Sequence, residues 1–114
     1  MIESYKFGNI VVDGKSYTKD IIILPNKKVI SPWWRNSGHI VKLSDLRNIL
    51  SENPMHLVIG TGNSGQMKPA HGLIDTLEQQ NINTTVLPTQ QASKKYNSLC
   101  GESLHVAACF HLTC

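Results

Sequence analysis

The apolar positions of this chain follow two different patterns. Up to about residue 34 they come as short β-branched runs, Ile10-Val11-Val12, Ile21-Ile22-Ile23-Leu24 and Val29-Ile30, which predict strands. Asp13-Gly14 suits a two-residue type I′ turn, where both central residues need positive φ, so Lys15-Ser16-Tyr17 is expected to return as the partner strand. Pro25-Asn26-Lys27 separates the second pair of runs, and within Asp20–Leu24 the unbroken apolar run at 21–24 predicts a strand covered on both faces. The expectation is two antiparallel hairpins over about 5–34 that form one edge of the protein.

From residue 43 the spacing lengthens to that of helices alternating with strands. Leu46, Ile49 and Leu50 recur at i, i+3, i+4, with Ser44 as N-cap and an end near Pro54. The strand Leu57–Gly60 follows. Pro69 is expected in the first turn of the next helix, whose stripe is Leu73, Ile74 and Leu77 and which fades at Asn81. Thr85–Leu87 reads as a strand, Thr89 as an N-cap, Ala92, Tyr96 and Leu99 as a stripe stopped by Gly101, and Val106–Phe110 as the closing strand. A βαβαβ order predicts parallel pairing through right-handed crossovers, with the strands in the order 85, 57, 106. The fold class is therefore α/β: a central mixed sheet in three layers, with a parallel βαβαβ part over about 43–114 and the N-terminal hairpins added to it.

Length and composition narrow this further. With 114 residues, 40% apolar and 17% charged, one domain over 1–114 is expected, too short for a dinucleotide-binding unit plus a substrate domain. No apolar run approaches the length that spans a bilayer, and Met1-Ile2-Glu3-Ser4-Tyr5-Lys6 resembles neither a signal nor a transit peptide. Three cysteines are an odd number for a disulfide framework, which suits a reducing cytoplasm. A net charge of +3 on scattered lysines does not argue for nucleic acid or a membrane surface.

The stretch Gly60-Thr61-Gly62-Asn63-Ser64-Gly65 places three glycines in G-x-G-x-x-G spacing directly after a strand. A dinucleotide site would also need an acidic residue about 20 positions on, yet no Asp or Glu occurs between Gln79 and Gly101. Two readings remain: glycines that only permit a close strand-to-helix turn, or a backbone nest for a small anion, aided by Ser64 and Lys68. If strands 57–60 and 106–110 are neighbours whose connections leave in opposite directions, their carboxyl ends flank a crevice. Gly60–Gly65, Thr89, His111 and Arg35 would line it.

Elsewhere the chemistry is thinner. Cys109, His111 and Cys114 offer only three local ligands for zinc, so no metal is expected, and Cys109 reads as a small buried hydrophobe. Thiol chemistry at Cys114 would require His111 beside it; His39, His56, His71 and His105 read as surface or loop residues. Trp33-Trp34-Arg35 can stack a planar ligand or form a protein-interaction hot spot, or else cap the core and shield a sheet edge.

The run Val58-Ile59-Gly60-Thr61-Gly62, the segment Val86-Leu87-Pro88-Thr89, the pair Tyr96-Asn97 and the ending Val106 to Cys114, with its His-x-Thr-Cys, resemble a known small-domain family. Its members, mostly of unknown function, include an adipogenesis-associated cytosolic protein with the Mth-type domain and an assembly factor of respiratory complex I. The resemblance implies a three-layer fold with a central mixed sheet, and neither an enzymatic activity nor catalytic residues. The expected function is a non-catalytic interaction or assembly module with a protein partner and no cofactor. The alternative is a binding protein or enzyme for a small anion held by the Gly60–Gly65 loop.

Overall fold

The computed structural model describes residues 1–102 and 105–114. Strands β1 (Ile2–Lys6), β2 (Asn9–Val12) and β3 (Lys15–Tyr17) form an antiparallel sheet in that order. The turn between β2 and β3 is the expected one, with φ of 48° at Asp13 and 80° at Gly14. The first strand begins earlier than the sequence reading placed it, and it buries Ile2 and Tyr5.

The second hairpin, β4 (Ile21–Ile23) and β5 (Val29–Ile30), does not share an edge with the first. It joins the main sheet, and the composition of β4 explains why. Ile21 and Ile23 pack into one hydrophobic cluster and Ile22 into the other, so this strand satisfies its side chains only between two layers. Two short strands, β6 (Ile40–Val41) and β8 (Lys68–Pro69), form a separate parallel pair. The main sheet adds β7 (His56–Thr61), β9 (Asn83–Leu87) and β10 (Val106–His111), and its order is β5-β4-β10-β7-β9. β9, β7 and β10 are parallel neighbours in the expected order, and β4 runs antiparallel to β10.

Alternation along the strands divides the core between the two faces. On one face Val58, Ala108 and Phe110 meet Ala92, Tyr96 and Leu99 of helix α3 (Thr89–Gly101), together with Ile2, Tyr5, Ile10 and Val12 of the small sheet. Tyr96 and Phe110 meet edge to face at 6.3 Å, a geometry that adds about 1 kcal/mol to their burial. On the other face Leu57, Ile59, Ala107 and Cys109 pack against Leu46, Ile49, Leu73 and Leu77.

Three helix starts differ from the sequence reading. Ser44 lies inside a 3-10 turn (Leu43–Leu46) that leads into α1 (Arg47–Leu50), and the Lys42 N–H donates to the Asp45 carboxylate at 2.8 Å. Pro69 sits in β8, where a two-residue ladder tolerates its missing N–H; helix α2 (Leu73–Gln79) starts after Gly72, whose φ is 82°. Thr89 is the first helical residue rather than a cap, because its hydroxyl is used elsewhere. His56, read as a surface or loop residue, opens β7 and hydrogen-bonds Thr85 at 2.7 Å. Burial, reinforced by the charge of Lys95, lowers the His56 pKa.

Candidate functional site

The glycine loop leaves β7 at a point of close packing. A Cβ on Gly60 would lie 2.4 Å from Phe110 Cδ1, and Gly62 has φ 104° with the backbone of Thr113 and Cys114 against it. Both positions require glycine for reasons of space and conformation. The amide hydrogens are then accounted for one by one. Gly62 donates to Thr89 Oγ1 at 2.9 Å, Asn63 to the Thr113 carbonyl at 2.6 Å, and Ser64 and Gln66 to the Cys114 backbone oxygen at 3.2 and 3.1 Å. Gly65 donates to Gly62 and Met67 to Thr61. The loop is a nest, and the oxygens it holds belong to residues 113 and 114 of the same chain. Thr89 completes the lock by donating to the His111 carbonyl at 2.6 Å, while the side chains of Asn63, Ser64 and Lys68 are exposed.

A different group of side chains gathers on the β4 side of β10. Antiparallel register pairs Phe110 with Ile21, which brings Asp20, at the head of β4, beside His111 and Leu112. Asp20 Oδ1 accepts the Leu112 N–H at 2.9 Å. Its Oδ2 meets His111 Nδ1 at 2.8 Å and Arg35 Nη2 at 2.9 Å. Burial works to raise the Asp20 pKa, but the His111 bond, the Leu112 amide, the His111 charge and Arg35 together outweigh it and hold the carboxyl below its ordinary value. An ionised carboxylate only accepts, so the His111 proton sits on Nδ1, and Nε2 is its open ring nitrogen. The 3.3 Å approach of Arg35 Nη2 to His111 Nδ1 is then a contact between two donors rather than a bond.

Arg35 is held from three sides. Nη2 also donates to the Gly38 carbonyl at 2.9 Å, and the guanidinium lies 4.5 Å over the Trp33 ring. Trp33 is itself fixed, with its N–H on the Asp20 carbonyl and its indole N–H on the Asp45 carbonyl, both at 2.9 Å. The Arg35 side chain is 5% exposed and that of His111 9%. Even so, Arg35 Nε and Nη1 and His111 Nε2 have no partner among the described residues. Leaving a buried polar group unsatisfied costs about 1–3 kcal/mol, so each of these nitrogens calls for a partner, whether water or a ligand. A cavity of about 380 Å³ adjoins them, lined by Lys19, Pro32, Trp34, Arg35, His111 and Thr113 among others. Trp34, 80% exposed, also borders a second cavity of about 400 Å³ that reaches Asp45 and Arg47.

The structure thus brings together the side chains of Trp33, Trp34, Arg35 and His111, while Thr89 and Thr61 meet only the His111 backbone and none of Gly60–Gly65, Lys68 and Thr89 lines that cavity, although the sequence reading had placed them all around one crevice. The carboxyl ends of β7 and β10 are occupied by residues 112–114, and the open cavity lies on the far side of β10. The two tryptophans divide the roles weighed for them: Trp33 caps the core and Trp34 stays exposed. Cys109 is fully buried, which pushes its thiol pKa far up, and no group of three or more His, Cys, Asp or Glu residues is placed to hold a metal among the described residues. Sequence reasoning missed Asp20 and His39, whose ring packs edge-on against His111 at 5.7 Å. An acidic residue abutting a run of four buried aliphatics was the available signal for Asp20.

No described helix is long and apolar enough to cross a membrane. The chain is similar over its full length to several solved structures. A protein named MT938 is 27% identical, with a TM-score of 0.86, 100% of this chain and 98% of that one being covered. A conserved hypothetical protein from Pyrococcus horikoshii OT3 is 26% identical, with a TM-score of 0.84 and coverages of 100% and 99%. A Bordetella pertussis protein described as an Mth938-like domain shares the fold at 20% identity and a TM-score of 0.73, over 98% and 85% of the two chains. Residues 2–111 match a family described as a protein of unknown function (DUF498/DUF598), and the chain belongs to that family, with the Mth938-like α/β fold.

Proposed function

We propose that this chain is a non-catalytic interaction module that makes its contact by capturing an anionic group of its partner in the Arg35–His111 pocket. The observation that carries this reading is the pair of buried N–H groups without partners, Arg35 Nε and Nη1, beside a cavity walled by Trp34. An anion would accept from the guanidinium in charge-assisted bonds, the stronger class of hydrogen bond. The glycine loop supports the small-anion alternative less well, because its amides from Gly62 to Met67 are already engaged. Trp33 and Trp34 are the only tryptophans of the chain, so intrinsic fluorescence reads this pocket directly. Titration with acetate, sulfate and inorganic phosphate should change that emission in the wild type and not in Arg35→Gln; a response that survives in a folded Arg35→Gln protein overturns the assignment.

One observation favours a second reading. The Asp20–His111 Nδ1 bond leaves Nε2 as a base in the arrangement used for proton abstraction, which suits an enzyme. It would require a reacting group within hydrogen-bond reach of Nε2. Turnover that falls with protonation of His111 and is lost in His111→Gln would move this reading ahead.

A further inference from the structure

Resting on the reading of this pocket as an anion site, we propose that it selects a small aryl carboxylate, a single negative charge on a flat apolar ring, over a phosphate dianion. Charge carries the first half of the argument. Arg35 and Asp20 meet at 2.9 Å and cancel, so the pocket is neutral while His111 is neutral and carries one positive charge once Nε2 takes a proton. Only one further negative charge is matched. A second would lie close to the Asp20 carboxylate, whose charge is fixed by three donors across its two oxygens. Of the remaining charged or titratable groups nearby, Lys19 adds a positive charge only at the solvent-screened rim, outside the buried count. His39 meets His111 by its ring edge, Asp45 receives the Trp33 indole from the other cavity, and the Cys109 thiol is buried.

Shape carries the second half. The unpartnered groups are Arg35 Nε and Nη1, on one planar guanidinium, with His111 Nε2 as the third nitrogen. Nη2, which completes both forked edges of the guanidinium, is taken by Asp20 and the Gly38 carbonyl, so Nε and Nη1 offer separate N–H groups that can serve a carboxylate oxygen but not the three oxygens of a phosphate. Trp34 and Pro32 form an apolar wall, and an exposed indole at the mouth offers a face for stacking. A volume of about 380 Å³ lies at the small end of ligand sites and suits a one- or two-ring molecule.

Calorimetric titration near pH 7.5 compares benzoate, cyclohexanecarboxylate, benzamide and phenyl phosphate. Benzoate should bind about tenfold tighter than benzamide and about fivefold tighter than cyclohexanecarboxylate or phenyl phosphate. Trp34→Ala, at an exposed position that leaves the fold intact, should bring benzoate and cyclohexanecarboxylate to about equal affinity. Phenyl phosphate binding as tightly as benzoate overturns the selectivity and leaves the anion site standing. Benzamide matching benzoate, or no binding by any of the four, overturns both.

Discussion

The two ends of β10's neighbourhood teach opposite lessons about what a sequence motif promises. On the β7 side lies a glycine loop with the spacing of a phosphate cradle, yet its amides are closed by Thr89 and by the backbone oxygens of Thr113 and Cys114. On the β4 side no motif exists. There, residues from the head of one strand, the end of another and the loop after β5 leave a buried guanidinium and an imidazole with unmet hydrogen bonds. Glycine spacing reports where backbone must pass close to something; it does not say whether that something is a ligand or the chain itself. Unsatisfied buried donors are the more direct pointer to a missing partner.

If the loop is an internal lock, its residues should matter for stability before anything else. Gly62→Val combines a φ of 104° with a Cβ driven against the backbone of Cys114, which has little room to give. Strain of about 1–3 kcal/mol and overlap of about 1–3 kcal/mol should together cost about 4 kcal/mol, seen as failure to fold or a drop of about 15 °C in melting temperature. A wild-type melting curve for this variant would mean that residues 113–114 leave the nest readily, and the two sides of β10 would no longer be so different.

Thr89→Val keeps the side-chain volume but removes the hydroxyl that accepts from Gly62 and donates to His111. Two buried backbone groups lose their partner, for an expected loss of about 3 kcal/mol by chemical denaturation. Thr89→Ser should restore most of it. Equal losses for Val and Ser would assign the effect to packing instead.

Asp20→Asn tests the other side. The substitution leaves a buried Arg35 without its counter-charge, and because Asp20 is 17% exposed the cost should be about 2 kcal/mol at neutral pH, below the full value for a buried pair. Its pH dependence has a definite sign. The folded carboxyl titrates below its ordinary value, so as pH falls past about 4 the unfolded chain takes the proton first. The stability from Asp20 is whole above that point and is lost as pH drops through the lower folded pKa. Asp20→Asn should therefore flatten the acid limb of the stability curve; an unchanged limb would remove Asp20 from the account.

How much of this was legible from residues alone follows from the range of the interactions. The β-branched runs, the Asp13-Gly14 turn and the stripe Ala92, Tyr96, Leu99 act locally, and they foretold the strands, the hairpin turn and helix α3. The parallel trio followed because crossovers have a preferred hand. What failed was partner choice. Ser44, Pro69 and Thr89 each have a sound local role at a helix start, but Thr89 is recruited by groups 22 and 27 residues away in sequence. Joining β4 to β10 rather than to the first hairpin is a choice of the same kind, and it alone creates the contact between Asp20 and His111 across 91 positions. Arg35, Trp33, Trp34 and His111 were singled out by residue type, but which of them share a pocket was fixed by that pairing.

The smallest expected effect on stability is also the sharpest test of the contrast. Trp33 and Trp34 are adjacent in sequence, yet one is 5% exposed and the other 80%. Trp33→Ala should cost about 3–5 kcal/mol, since it empties a core position and takes away the surface on which Arg35 rests. Trp34→Ala should move the unfolding free energy by no more than about 0.5 kcal/mol, as expected for a side chain with few contacts to lose. A large exposed aromatic with no structural work at the mouth of a site with unmet donors is best explained by a ligand it contacts. A loss near 2 kcal/mol for Trp34→Ala would instead make it a structural shield of the sheet edge. The pocket would then lose its recognition wall, and only the unsatisfied nitrogens of Arg35 and His111 would continue to distinguish it from the sealed loop.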